Sequence, residues 1–258
     1  MAPLDAADAL VHTRELIRNV ASKHGLRATF APKPFPASAG TGAHTHISLH
    51  SSGGEPKPRE GLASYEKSFL AGVLDHIQAI TALTLPIPAS YQRVSDHAWA
   101  GGTYVSWGTE SREASVRLVN ASSPSSRRFE MRFVDGTASP YLVLAGILVA
   151  GLEGLKNQQQ LTMKDSGSTV PSDLSPEERE ALGITQRLPL SHQESRGFFE
   201  NSQFFRKAFG ENFVTKYLSV NKVRDLYLGW QRGTDGLVSF LEKYLSETPL
   251  RRTDCRTW

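Results

Sequence analysis

RRFEMRFV, residues 127 to 134, decides how this chain is read. Arg128, Glu130 and Arg132 alternate with Phe129, Met131 and Phe133. Successive strand side chains point to opposite faces, so the segment is predicted as a strand with an Arg-Glu-Arg face and an apolar one. The apolar face must pack on a core. Most polar strand faces simply meet water, and what argues for more here is the company this one keeps. AGTGAHTHISLHSSGG, residues 39 to 54, has the same period of two. It sets His44, His46 and Ser48 on one side and Thr45, Ile47 and Leu49 on the other. Arg112 and Arg117, five apart, mark another strand-like segment, and Arg93 follows Tyr91 just after a proline break.

Five arginines, one glutamate and two histidines on neighbouring strands would make a strongly positive concavity. Planar guanidinium forks match phosphate and carboxylate oxygens two at a time. A glutamate beside a histidine can hold a divalent ion that bridges phosphates. Phosphoryl transfer needs little beyond such positioning and charge neutralisation. The residues therefore point to a nucleotide- or polyanion-handling site on a sheet. A zinc-hydrolase reading of His-x-His competes less well, because such sites need further His and Asp ligands at strand ends. The other histidines (His12, His24, His50, His76, His97 and His192) fall mostly on predicted helices or loops. Five arginines also suit a metal-bound hydroxide poorly.

Outward from these strands, helices bracket the sheet. Residues 5 to 24 read as a helix, with Ala9, Leu16 and Val20 at helical spacing and Gly25 at the C-terminal cap. RATFAPK, residues 27 to 33, reads as a short strand. A second helix spans about 62 to 83, with Phe69, Val73, Ile77 and Ile80 on one face, and LPIPAS ends it. TYVSWG and EASVRLV read as strands, 139 to 156 as an apolar helix, 158 to 190 as a long loop, and 196 to 246 as further helices. The fold class expected is α+β.

The 258 residues suffice for one large domain or a tight pair, and the composition is that of an ordinary globular chain. A net charge of +3 without basic blocks gives no sign of nucleic-acid binding. The lone cysteine, Cys255, excludes an intrachain disulfide. The stretch from Tyr141 to Leu152 is too short to span a bilayer, and no signal peptide opens the chain, so a cytoplasmic address is expected and no membrane.

KPFPASAGTGAHTHIS, residues 33 to 48, resembles the nucleotide-site signature of glutamine synthetases: Lys-Pro, a small-residue loop, Gly-x-His, then a serine four residues on. Later motifs follow in that family's order. SYQR resembles its Ser-Tyr-Lys-Arg segment, WGTESREASVR its Trp-Gly segment with two arginines five apart, and RRFEMRF with ASPYL its Arg-x-Glu-x-Arg strand and helix start. HGLRATFAPKP and Trp99-Ala100 look most like the FluG-type branch. The resemblance implies a glutamine synthetase-like catalytic domain over 1–258, an antiparallel sheet forming part of a barrel-like cleft flanked by helices. It implies the carboxy-terminal part of such a ligase, without the amino-terminal β-grasp domain and the acidic first-metal ligands.

The same resemblance implies ATP-dependent joining of an amine to a γ-glutamyl carboxylate through an acyl phosphate. His44 and Glu130 would hold Mg²⁺ or Mn²⁺. Lys33, His46, Ser48, Arg112, Arg117 and Arg128 would bind ATP, with Arg112 catalytic. Gly40, Arg93 and Arg132 would hold the amino-acid substrate. Partners would be that amino acid, ammonia or an organic amine, and further copies of the chain in a homo-oligomer. Two departures stand out: Ala39 replaces the family's asparagine, and Trp99 falls where its ammonium-accepting glutamate should be, leaving Asp96 or His97 as substitutes. A retained nucleotide face without catalysis is the alternative.

Overall fold

The computed structural model describes residues 1–35, 40–98, 101–109 and 111–230. Expectations for Ala39, Trp99, Ala100 and the helical stretch after 230 lie outside the described residues. The elements run helix α1 (Pro3–Lys23), strand β1 (Thr45–Ile47), helix α2 (Ser64–Thr84), a 3-10 turn (Pro88–Arg93), then strands β2 (Trp107–Gly108), β3 (Val116–Val119) and β4 (Arg128–Met131). Helix α3 (Pro140–Lys156) and a second 3-10 turn (Pro171–Asp173) follow. Helices α4 (Pro176–Leu182), α5 (His192–Asn201), α6 (Gln203–Phe209) and α7 (Glu211–Trp230) complete the order. The chain divides into two compact units, Met1–Ala208 and Phe209 onward. In the second, Phe213 on α7 lies 5.4 Å from the Phe209 ring and 6.0 Å from that of Tyr217.

The α+β class is as expected, but the sheet is small, open and mixed. Its order is β1-β4-β3-β2, with β1 and β3 antiparallel to β4 and β2 parallel to β3. Four strands of two to four residues do not close on themselves, and the parallel β2 departs from the antiparallel sheet expected. RATFAPK is not a strand either. Thr41 ties it down instead, its N–H donating to the Pro32 carbonyl (2.8 Å) and its hydroxyl to that of Ala31 (2.9 Å).

The alternation at 128–133 works as read. Phe129, Met131 and Phe133 are buried, and the Phe129 ring stacks 6.2 Å from Phe69 of α2. Phe69, Val73, Ile77 and Ile80 are almost wholly buried, each worth about 1.5–3 kcal/mol by the apolar surface removed from water. Helices α2 and α3 meet at backbone distance: a Cβ on Gly72 would stand 2.8 Å from Gly154 Cα and would overlap the Ala150 carbonyl. Only glycine allows that approach.

Two expectations fail for readable reasons. Ala9, Leu16 and Val20 are exposed; α1 instead touches the body through buried Ala7, through Arg14 donating to the Ala138 carbonyl (2.9 Å), and through Asp8 accepting from the Tyr141 hydroxyl (2.6 Å). Periodicity alone cannot distinguish a buried stripe from one that neighbours leave open. The stretch 158–190 is not structureless, because SPEE supplies a capping box. Ser175 Oγ accepts from Glu178 N–H (3.2 Å), and the Glu178 carboxylate accepts from Ser175 N–H (2.8 Å).

Candidate functional site

Register builds the site. His46 on β1 lies opposite Glu130 on β4, which lies opposite Arg117 on β3. Directly paired residues share a face, so the polar sides of the three strands form one row. Glu130 is its centre and is 3% exposed. Its Oε1 accepts from His44 Nδ1 and Arg132 Nη1, both at 2.7 Å, and its Oε2 lies 2.6 Å from Arg117 Nε. Burial works against ionisation of this carboxyl. The hydrogen bond from His44 and the charges of Arg132 and Arg117 outweigh it and hold the group down at about 2. Glu130 is thus a carboxylate throughout the ordinary pH range.

Around this centre guanidiniums outnumber acids. Arg128 donates from Nε to His46 Nδ1 (3.1 Å) and from Nη1 to the Ser126 carbonyl (3.1 Å). Burial, joined by Arg128, His44 and Arg117 and opposed by Glu130, lowers the His46 pKa, which keeps that ring an acceptor. Arg112 is exposed, near enough to Arg132 to lower its pKa slightly, and has no carboxylate partner among the described residues. Ser48 is exposed and pairs with His50 Nε2 at 3.1 Å. Lys33 reaches the Gln92 carbonyl (3.4 Å), beside Arg93 rather than beside the row.

Arg93 and Arg132 sit deeper, at 2% and 4% exposed, with Arg93 Nη2 3.5 Å from the Arg132 carbonyl. Burial, reinforced by Arg132 and opposed by Asp135, pushes Arg93 down to about 10. Gly40 lies against it: a Cβ there would be 2.8 Å from Arg93 Cβ and 3.2 Å from the Pro32 carbonyl oxygen. In this structure the glycine lets the loop close over an arginine.

The expected metal pair, His44 and Glu130, is brought together but bonded directly. Glu130 Oε1 carries the bonds to His44 and Arg132, while Oε2 has the ion pair with Arg117 and no hydrogen bond. His44 Nε2 is buried without a hydrogen-bond partner, and so is Glu130 Oε2. No cluster of three His, Cys, Asp or Glu able to hold an ion occurs among the described residues. Each of the two expected ligands thus keeps one buried polar atom without a hydrogen-bond partner, His44 Nε2 and Glu130 Oε2, and these are the atoms with which they would hold an ion.

Asp96 and His97 serve their own loop. Asp96 Oδ1 accepts from the N–H (3.0 Å) and hydroxyl (2.7 Å) of Thr103. His97 has φ of 62°, its N–H donates to Glu113 Oε2 (2.9 Å), and its exposed ring lies 3.4 Å from Asp173. Buried Glu113, beside Arg112, was not anticipated, and no local pattern marks it. A separate cleft of about 470 Å³ opens beyond β1 between α1 and α3, lined by Leu10, Ile47, Leu144 and Leu148, and reaches round to His44 and His46. None of the five arginines lines it.

Comparison with known proteins matches residues 1–226 to the family described as "Glutamine synthetase, catalytic domain". Protein fluG of Emericella nidulans is 41% identical over 220 residues, covering 85% of this chain and 24% of that protein. Gamma-glutamylpolyamine synthetase GlnA3 of Streptomyces coelicolor is 39% identical over 230 residues, covering 85% of this chain and 48% of the relative. Among solved structures, apo GmaS and a GmaS/ADP complex each superpose with a TM-score of 0.71 at 27% identity, covering 90–91% of this chain and 52–53% of theirs. The chain therefore spans about a quarter to a half of these relatives. Among the described residues no helix is long and apolar enough to cross a membrane. The ordered motifs, the guanidinium row and the matched span agree: this chain belongs to the glutamine synthetase family, through its catalytic domain.

Proposed function

We propose that the polar face of β1, β4 and β3 is a nucleotide site serving an ATP-dependent carboxylate–amine ligase. A γ-carboxylate oxygen attacks the γ-phosphorus of ATP and ADP leaves; the amine then attacks the acyl carbon and expels phosphate. Arg112, Arg117 and Arg128 neutralise the phosphates, where negative charge develops as the phosphoryl group moves. Arg93 and Arg132, buried behind them, supply the charge for a substrate carboxylate, and His46 and Ser48 flank the nucleotide. The observation that carries the reading is the in-register row of guanidiniums around Glu130. The ADP complex of GmaS supports a nucleotide, and the name of the Streptomyces relative supports an organic amine over ammonia. A cytosolic address and a homo-oligomer belong to the same proposal.

A second reading is a nucleotide-binding family member without turnover, favoured by the small acidic donor set of the described residues. The test incubates the chain with ATP, glutamate and either ammonia or a polyamine, following phosphate release and product mass. Amine-dependent phosphate release with a γ-glutamylamide product supports the ligase. ADP binding without product from any amine supports the second reading. Absence of ADP binding defeats both.

A further inference from the structure

We propose that Glu113 is a positioning residue for Arg112, its buried carboxylate stapling the turn that carries Arg112 to the segment between Asp96 and Thr103. The inference rests on the nucleotide reading above, in which Arg112 meets the phosphates, and adds a residue outside the set the resemblance named. Arg112 is exposed and has no carboxylate partner among the described residues, so the turn beneath it sets where its guanidinium starts. The residues on either side are buried, Ser111 at 2% and Glu113 at 5% exposed. Ser111 Oγ accepts from the N–H groups of Glu113 (3.3 Å) and Ala114 (3.1 Å), which shapes the turn. Glu113 then reaches the other segment at two points. Its Oε2 accepts from His97 N–H (2.9 Å), and its carbonyl accepts from Gly102 N–H (2.9 Å). The contact is close: a Cβ on Gly102 would stand 2.8 Å from the Glu113 carbonyl oxygen and 3.3 Å from its Cβ.

Both ends of this staple cost stability. A buried carboxylate is ordinarily held by a cation or several donors. The Glu113 carboxylate has only the His97 N–H among the described residues. His97 in turn sits at φ 62°, a left-handed conformation unfavourable for any residue but glycine. Such costs concentrate where a site needs fixed geometry. What is fixed here is the spacing of two functional segments. Asp96 Oδ1 accepts from the N–H (3.0 Å) and hydroxyl (2.7 Å) of Thr103, closing the neck of the segment that Glu113 holds. That segment begins three residues after buried Arg93. Glu113 thus ties the stretch bearing the arginine proposed for a substrate carboxylate to the one proposed for the phosphates. A fork whose backbone is held before the ligand arrives loses less freedom on binding.

The experiment is a double-mutant cycle read by calorimetric titration with ADP in Mg²⁺ buffer. Glu113→Ala should weaken ADP by roughly threefold, because a loosened turn forfeits part of the Arg112 contact. In an Arg112→Ala background the same substitution should change nothing further. Glu113→Gln should keep the affinity of the unsubstituted chain, since its amide oxygen still accepts from His97 N–H. Should Glu113→Ala fail to fold, by circular dichroism, Gly102→Ala presses the staple apart from the other side and takes its place in the cycle. Equal losses in both backgrounds overturn the inference, because Glu113 would then act on the fold at large. Full affinity in Glu113→Ala, or a loss in Glu113→Gln as large as in Glu113→Ala, overturns it too, and each leaves the nucleotide reading standing. Absence of ADP binding by the unsubstituted chain defeats that reading and the inference with it.

Discussion

Arg127 and Arg128 are neighbours in sequence and opposites in physics. Arg127 falls on the apolar side of β4's alternation and is 1% exposed. It bonds Glu66 with two nitrogens, Nη2 to Oε2 at 2.8 Å and Nε to Oε1 at 3.4 Å. Its Nη1 reaches the carbonyls of Pro58, Gly61 and Ala121 at 2.7–3.1 Å. Glu66 in turn caps α2 by accepting from Ala63 N–H (3.0 Å), with Lys57 3.6 Å away. Every donor there has an acceptor, and the cluster has nothing left to offer a ligand. One residue on, the Arg128 side of the strand carries more guanidinium than carboxylate. A buried pair that is complete reads as structure, and a surplus of one sign reads as a site.

The largest expected effect breaks the complete pair. Arg127→Ala leaves Glu66 buried beside one more distant lysine and orphans three carbonyls, so stability should fall by about 3–5 kcal/mol. Urea unfolding monitored by circular dichroism measures it. A loss below about 1 kcal/mol would mean that Lys57 moves in and that the pair is less complete than it looks.

Next comes the incomplete side. Arg117→Ala removes one fork from the row and should weaken ADP by about 1.5–3 kcal/mol, a factor of roughly 10 to 150 in Kd. Unchanged affinity by calorimetry would separate the row from the nucleotide.

Much of this contrast is legible in the sequence, and the illegible remainder has a common cause. Period two at 128–133 and at 44–48 placed the faces correctly, because a strand's geometry is local. The same period puts Arg127 among Phe129, Met131 and Phe133, and a charge in an apolar register signals a buried partner somewhere. Which partner was not readable, since Glu66 lies 61 residues away. Glu113 holding the left-handed His97 is equally non-local. The resemblance supplied the family and singled out His44 and Glu130 together, and the structure does bring them within 2.7 Å. That Arg117 and Arg132 also reach this carboxylate depends on side-chain packing that no motif spells out.

A third, smaller effect uses pH. Glu130 sits at about 2 in the folded chain against an ordinary 4.5, a depressed carboxyl. Its contribution to stability is therefore complete above the ordinary range and is lost as pH falls from about 4.5 towards about 2. Glu130→Gln should flatten that portion of the stability profile relative to the unsubstituted chain. Parallel profiles through pH 4.5 to 2 would show that the row does not hold the carboxylate as described.

The smallest effect on stability belongs to Arg128 and completes the comparison with its neighbour. Its two hydrogen bonds, to His46 Nδ1 and to the Ser126 carbonyl, lie at the solvent edge, and both acceptors can turn to water when the guanidinium leaves. No buried charge is stranded, because no carboxylate among the described residues depends on it. Arg128→Ala should thus change unfolding free energy by no more than about 0.5 kcal/mol, the range of ordinary surface substitutions. The same variant should still weaken ADP, by about 1 kcal/mol, since an exposed fork retains part of its hydration and gains less from a phosphate than Arg117 does. Unfolding and titration on one preparation separate the two quantities. A stability loss approaching that of Arg127→Ala would mean that Arg128 too is structural, and that the surplus on this face is smaller than the geometry indicates.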